Sequence, residues 1–172
     1  MDKTEARIRL AIDAMGSDLG PSEVLEGVAQ AIDRSPWNTE FVLFGQEEII
    51  EPLITSHSIL SRSKVEFVHS PEVVGMEEKP IAGIKGKKKS SMSLALEALK
   101  EGEADALLSC GNTGCLMAGG AIKLRTLDGV ERPALCTIWP GRERYFTLLD
   151  AGANPHAKPF HIAQSAVLGS NY

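Results

Sequence analysis

Residues Ala104–Ala118 read Ala-Asp-Ala-Leu-Leu-Ser-Cys-Gly-Asn-Thr-Gly-Cys-Leu-Met-Ala. A short apolar run, Ala106-Leu107-Leu108, meets a small polar turn from Ser109 to Gly114, and a second apolar run rich in Ala, Leu and Met follows. The order is strand, turn, helix. The first backbone N–H groups of such a helix have no partner within it and carry the positive end of its dipole, so an anion can bind there without a cationic side chain. Gly111 and Gly114 let a phosphate approach the backbone, and Asn112 and Thr113 add side-chain donors. The same residues equally suit a tight turn closed by a helix cap, and the stretch alone leaves both readings open.

Moving toward the N-terminus, the residues before Ala104 form an amphipathic helix, with Met92, Ala95, Leu96 and Leu99 on one face and Gly102 at its end. Ser90-Ser91 opens it, and four lysines in the five positions Lys85 to Lys89 lead into it. A charge run is ordinarily a solvated face. Beside a helix N-terminus it would also strengthen attraction for phosphate or an acidic partner. Before it, Ser70 to Pro80 has no clear period and carries two prolines, which suits a lid or a binding loop.

The start of the chain supplies the remaining strands. Arg7 to Ile12 reads as a first strand, leaving through Asp13-Ala14-Met15-Gly16-Ser17-Asp18-Leu19-Gly20-Pro21. Asp13 would stand at the carboxyl end of that strand, where open α/β sheets place ligands. Asp and Gly are also common turn formers, so this loop too keeps two readings. Pro21 fits the first position of a helix with Val24, Leu25, Val28 and Ile32 at near-helical spacing, stopping near Ser35-Pro36. Phe41 to Phe44 is a second strand closed by Gly45, Glu47 to Ile54 a short helix, and Lys64 to Val68 a third strand. Strands alternating with helices in this way predict βαβ units and a mostly parallel sheet.

Beyond the central stretch the helix is expected to run to about Leu124. Pro133 to Ile138 and Tyr145 to Leu149 read as strands joined at Pro140-Gly141-Arg142, a hairpin that would add antiparallel pairing to the sheet. Leu148 to Asn154 repeats the pattern after the first strand: an apolar run, then Asp150, Gly152 and Asn154. Lys158-Pro159 opens a last helix, Phe160 to Tyr172.

The whole chain, 172 residues with 43% hydrophobic and 24% charged residues, suits a single soluble α/β domain over residues 1–172. Its formal net charge of −5, without interleaved aromatic and basic residues, argues against nucleic acid as a partner. No apolar run approaches the roughly 20 residues that cross a bilayer, and no secretory segment follows Met1 to Glu5, so a cytoplasmic protein is expected. Cys110, Cys115 and Cys136 lack the spacing of a metal site and read as small reduced residues of the interior. No metal or cofactor is expected.

Several stretches together resemble the PlsX-type phosphate acyltransferases of bacterial phospholipid synthesis. They are Ile12 to Asp18, Val74 to Pro80, Lys87 to Met92, Ser109 to Gly114, Arg132-Pro133-Ala134, and Leu149 to Asn154 with Lys158-Pro159. Six motifs in the family's order carry the likeness. It implies a three-layer α/β/α sandwich of the isocitrate/isopropylmalate dehydrogenase type, and a homodimer. It also implies a reaction in which inorganic phosphate attacks the thioester of a long-chain acyl-acyl carrier protein, giving acyl phosphate and free carrier. Family members are substantially longer, so the chain resembles their N-terminal part, and any membrane contact would lie in parts beyond it. Ser17, Lys89 and Cys115 depart from the family's usual glycine, acidic residue and alanine.

Phosphate is already a competent nucleophile at neutral pH, so such a reaction needs positioning and oxyanion stabilisation rather than a covalent Ser or Cys. The expected catalytic residues are Asn112, Asp13 and Lys79. Ser90, Ser91, Gly111, Thr113, Gly114, Gly16, Asp18, Asp150 and Asn154 are expected to bind or orient phosphate and the oxyanion, and Lys87 and Lys88 to dock the acidic carrier protein. Two other readings compete: a phosphate acetyl- or butyryltransferase acting on acyl-CoA, and a non-catalytic carrier-protein or phosphate-binding module. A dehydrogenase is disfavoured because no Gly-x-Gly-x-x-Gly turn follows the first strand.

Overall fold

The computed structural model describes residues 7–34, 38–62, 65–154 and 156–171. They fall into two compact units, Met1–Leu124 and Arg125–Tyr172. The first is built on four parallel strands in the order β3-β2-β1-β4: β1 Ile8–Asp13, β2 Thr39–Gly45, β3 Val65–His69 and β4 Ala106–Ser109. Successive side chains of a strand point to opposite faces, and here both faces are apolar. Ile12, Phe41 and Leu43 face Leu25, Val28 and Ala29 of helix α1, Pro21–Arg34, together with Ile50 of helix α2, Glu47–Ser56. Ala11, Val42 and Phe44 face Ala95 and Ala98 of helix α4, Ser91–Lys100. The parallel pairing is what the alternating pattern predicts, and helix, sheet and helix make the three-layer α/β/α arrangement that the family resemblance implies.

Pro21 at the start of α1 suits a position whose N–H has no helical partner. Its predicted stop at Ser35-Pro36 lies outside the described residues, as do Met1 to Glu5, Lys64 and Tyr172.

One helix escaped the pattern. Helix α3, Pro80–Gly86, occupies the ground between the irregular connection and the lysine run. Seven residues are too few to hold a helix alone, and tertiary packing supports it. Ile84 enters a cluster with Val74, Met92, Leu96 and Cys115, and a Cβ at Gly83 would lie 3.0 Å from Cys115 Sγ of helix α5, Thr113–Lys123. The lysines are divided in consequence: Lys85 is in the last turn of α3, Lys87 ends it, and Lys88 and Lys89 form the turn into α4.

In the second unit β5 Thr137–Pro140 and β6 Tyr145–Leu148 pair antiparallel as expected, but as a separate two-stranded sheet rather than an extension of the parallel one. Pro140 has no N–H to give a further neighbour and suits an edge, which each strand of a two-stranded ribbon is. Helix α6, Pro159–Asn171, closes the unit. His161 Nδ1 accepts the Lys158 N–H at 3.0 Å, capping that helix, and its Nε2 contacts Glu131 at 2.7 Å. The bond from His161 holds the Glu131 carboxyl below the usual carboxylate range. Of the cysteines only Cys115 is buried; Cys110 is exposed and Cys136 intermediate, because Cys110 stands in the turn rather than on a packed face. No described helix is long and apolar enough to cross a membrane.

Candidate functional site

Strand order decides where a site can form. From β1 the chain steps to β2 and β3 on one side, then returns to place β4 on the other. The carboxyl ends of β1 and β4 thus lie side by side where the strand order changes direction, the place at which open α/β sheets hold their ligands. Asp13 and Ser109 are partners in the register at those ends.

The two loops meet closely. Ser109 Oγ donates to Asp13 Oδ2 at 2.8 Å and accepts the Gly111 N–H at 3.1 Å. Asp13 is only 2% exposed, and its Oδ1 accepts the Met15 N–H at 3.3 Å. A Cβ at Gly16 would stand 2.6 Å from Asp13 Oδ2 and 2.9 Å from the Gly111 nitrogen, while one at Gly111 would stand 3.0 Å from Gly16 Cα. Glycine at both positions lets backbone meet backbone.

Asn112 is the N-cap of α5, its Oδ1 accepting the Cys115 N–H at 3.0 Å. Its Nδ2 donates to the carbonyls of Met76 at 2.8 Å, Glu78 at 3.0 Å and Gly75 at 3.2 Å. At 8% exposure this side chain is engaged inside the protein. The backbone N–H groups of Asn112, Thr113 and Gly114 find no acceptor among the described residues. The anion-binding capacity of the turn thus resides in its main chain.

The irregular connection before α3 is pinned rather than loose. Glu78 Oε1 accepts the Gly75 N–H at 2.8 Å and pairs with the Lys87 ammonium. The Gly75 bond first, and Lys87 second, hold the Glu78 carboxyl below its ordinary range. Lys87 Nζ also donates to the Val73 carbonyl at 2.7 Å, and the Lys87 carbonyl accepts both Ser90 Oγ and Ser93 Oγ at 2.8 Å. A continuous polar chain therefore joins Asn112, Glu78, Lys87 and Ser90, the N-cap of α4. Sequence reasoning gave Glu78 and Ser109 no role at the site; the one sequence signal for Ser109 was its place between the apolar run of β4 and the glycine-rich turn, and its position opposite the exit of β1 came only with the strand pairing.

The other expected residues are distributed as follows. Ser91 is buried, its N–H on the Glu72 carbonyl at 3.2 Å. Lys79 is exposed at the N-terminus of α3; its neighbour Pro80 packs against Gly114, where a Cβ would lie 2.8 Å from Pro80 Cγ. Lys88 and Asp18 are exposed. Asp150 and Asn154 belong to the second unit and make their contacts there: Asp150 Oδ1 accepts the Leu135 N–H at 2.9 Å, and its Oδ2 accepts the backbone and side-chain N–H groups of Asn154, both at 2.8 Å. They line a cleft of about 260 Å³ with Arg132, His161 and Gln164. Burial foremost, and then the Glu78 charge, push the Cys115 thiol up, and its side chain is fully enclosed.

A family model described as "Fatty acid synthesis protein" matches residues 8–172. Among similar proteins, a phosphate acyltransferase of Levilactobacillus brevis is 40% identical over 169 residues, covering 96% of this chain and 47% of that protein. A phosphate acyltransferase of Azorhizobium caulinodans is 44% identical over 166 residues, covering 96% and 46%. One from Pseudomonas fluorescens is 41% identical over 161 residues, covering 94% and 48%. The chain spans about half the length of the curated relatives it matches.

Proposed function

The chain belongs to the fatty acid synthesis protein family, and from that premise we propose that it forms the phosphate-binding part of an enzyme that moves a long-chain acyl group from acyl-acyl carrier protein to inorganic phosphate. The product is an acyl phosphate for phospholipid synthesis. One observation carries the reading: the N–H groups of Asn112, Thr113 and Gly114, without an acceptor among the described residues, open α5 beside the carboxyl end of β1, where the strand order changes direction.

In this reading a phosphate oxygen held there attacks the thioester carbonyl carbon, a tetrahedral oxyanion forms, and its collapse breaks the C–S bond and releases the carrier thiolate. Preorganised N–H donors stabilise the charge that develops. Asn112 acts by holding the turn, since its side chain already has partners. Lys79, exposed beside the Pro80–Gly114 contact, adds positive charge. Lys88, exposed in the turn before α4, meets the acidic carrier; Lys87, tied to Glu78, supports that turn from within. The whole enzyme in this reading is a cytoplasmic homodimer.

The test is acyl phosphate formation, trapped with hydroxylamine, from palmitoyl-acyl carrier protein and inorganic phosphate, with this chain beside a version extended to the length of its relatives. Activity in both places the site within these residues; activity in the longer chain alone means a site shared with the rest. Palmitoyl-CoA as the only effective donor would replace the carrier reading with a CoA-dependent one. Silence in both, with folded protein and intact donor, overturns the assignment.

A further inference from the structure

Ser109 has a hydroxyl whose direction the surrounding groups dictate. The Gly111 amide can only donate, so Ser109 Oγ accepts from it at 3.1 Å and its own hydrogen is left for Asp13 Oδ2 at 2.8 Å. Polarity runs one way, from amide to hydroxyl to carboxylate. The carboxylate is held at both oxygens: Asp13 is 2% exposed, its Oδ1 accepts the Met15 N–H at 3.3 Å and its Oδ2 accepts Ser109 Oγ at 2.8 Å. A carboxylate beside the turn that opens α5 repels an anion there and, if free to turn, competes with it for the same N–H groups; a donor that fixes its direction keeps it off those groups while its charge remains.

We propose that Ser109 is a positioning residue for phosphate: its hydroxyl holds the Asp13 charge in a hydrogen bond and turns the Gly111 N–H inward, which leaves the following N–H groups of the turn for the ligand. This rests on the phosphate-binding reading above and adds a residue to it. Ser109 itself touches no reacting atom. Its position at the end of β4, in register with Asp13, is the reason one side chain can serve both loops.

The experiment measures inorganic phosphate binding by titration calorimetry to this chain and to the version extended to the length of its relatives, for the wild type, Ser109→Ala and Ser109→Thr, with thermal melts alongside. Hydrogen bonds to charged groups contribute about 1.5–3 kcal/mol, so Ser109→Ala is expected to weaken phosphate binding about tenfold or more. Ser109→Thr, which keeps the hydroxyl, restores it. If the alanine variant fails to fold, Ser109→Cys, close in volume and a weak donor, takes its place with the same expected loss. In the extended enzyme the KM for phosphate rises while the KM for acyl-carrier donor stays, a split that general loosening of the fold does not produce. A wild type that binds phosphate beside a folded alanine or cysteine variant that binds it equally, or a folded threonine variant that restores nothing, overturns the proposal alone. A wild type that binds no phosphate at either length overturns the reading beneath it, and the proposal falls with it.

Discussion

Asn112 Nδ2 donates to the Glu78 carbonyl at 3.0 Å, tying the N-terminus of α5 to the connection that precedes α3. The same carboxamide caps α5 through the Cys115 N–H. One side chain thereby holds two segments 34 residues apart in sequence.

Asn112→Ala removes the cap and the Nδ2 donor to the Met76 and Glu78 carbonyls, while the Gly75 carbonyl keeps the Glu78 N–H at 3.2 Å. Loss of an N-cap costs about 0.5–2 kcal/mol, and a lost intramolecular hydrogen bond about 0.5–1.5 kcal/mol. The variant is expected to lose on the order of 1–3 kcal/mol in urea unfolding as well as phosphate-dependent turnover. Wild-type stability with lost turnover would return the side chain to the substrate.

Gly111→Ala and Gly120→Ala should move stability in opposite directions. At Gly111 the new methyl meets Gly16 Cα at 3.0 Å and its carbonyl oxygen at 3.1 Å, both main-chain atoms that yield only if the loops part. A cost of about 1–3 kcal/mol is expected there. At Gly120, inside α5, nothing lies within 4 Å, and alanine is expected to stabilise by up to about 1 kcal/mol. Thermal melts of the pair decide it, and equal shifts would mean that the loops are not in contact.

Glu97 of α4 pairs with Lys100 and with Lys123 of α5, and Lys100 first, then Lys123, hold its carboxyl down from 4.5 to about 2. A lowered folded-state value means stabilisation that is present above the ordinary carboxylate range and lost as pH falls toward the folded value. Wild type should therefore exceed Glu97→Gln in stability near neutral pH, and the difference should close between pH 4.5 and about 2. The pair is partly exposed, so added salt should shrink the difference. A gap that persists to pH 2 would rule out the charge as its source.

Lys87 and Lys88 are adjacent in sequence and differ in environment. Lys87→Met breaks the Glu78 pair and the bond to the Val73 carbonyl, and should lower the melting temperature. Lys88→Glu should leave the melt unchanged and raise the KM for acyl-carrier donor, with an effect that salt weakens. Equal kinetic effects from the two would mean that the lysine run acts as one undivided charge.

Much of the fold was legible because its strands are buried on both faces and its helices carry one apolar stripe. Leu10-Ala11-Ile12 and Phe41-Val42-Leu43-Phe44 read as strands from residue type alone, and Leu25 and Val28 fall on the buried face of α1 where the spacing put them, with Val24 and Ile32 packed partly buried beside them. The 7-residue α3 was not legible, since its support comes from Cys115, Met92 and Leu96, which no local window contains. The hairpin was read correctly, yet its sheet was not, because pairing of β5 with β6 does not state what else either strand adjoins.

At the site the division is the same. Residue order by itself determined that a glycine-rich turn follows β4, that it opens a helix and that Asp13 ends β1, because these depend on neighbours within a few positions. Only the tertiary structure decided that β4 lies beside β1, that Ser109 therefore joins Asp13 to Gly111, and that Asn112 faces Glu78. Those contacts join residues up to 96 positions apart, and a hydrogen bond over such a separation leaves no period in the sequence from which to read it.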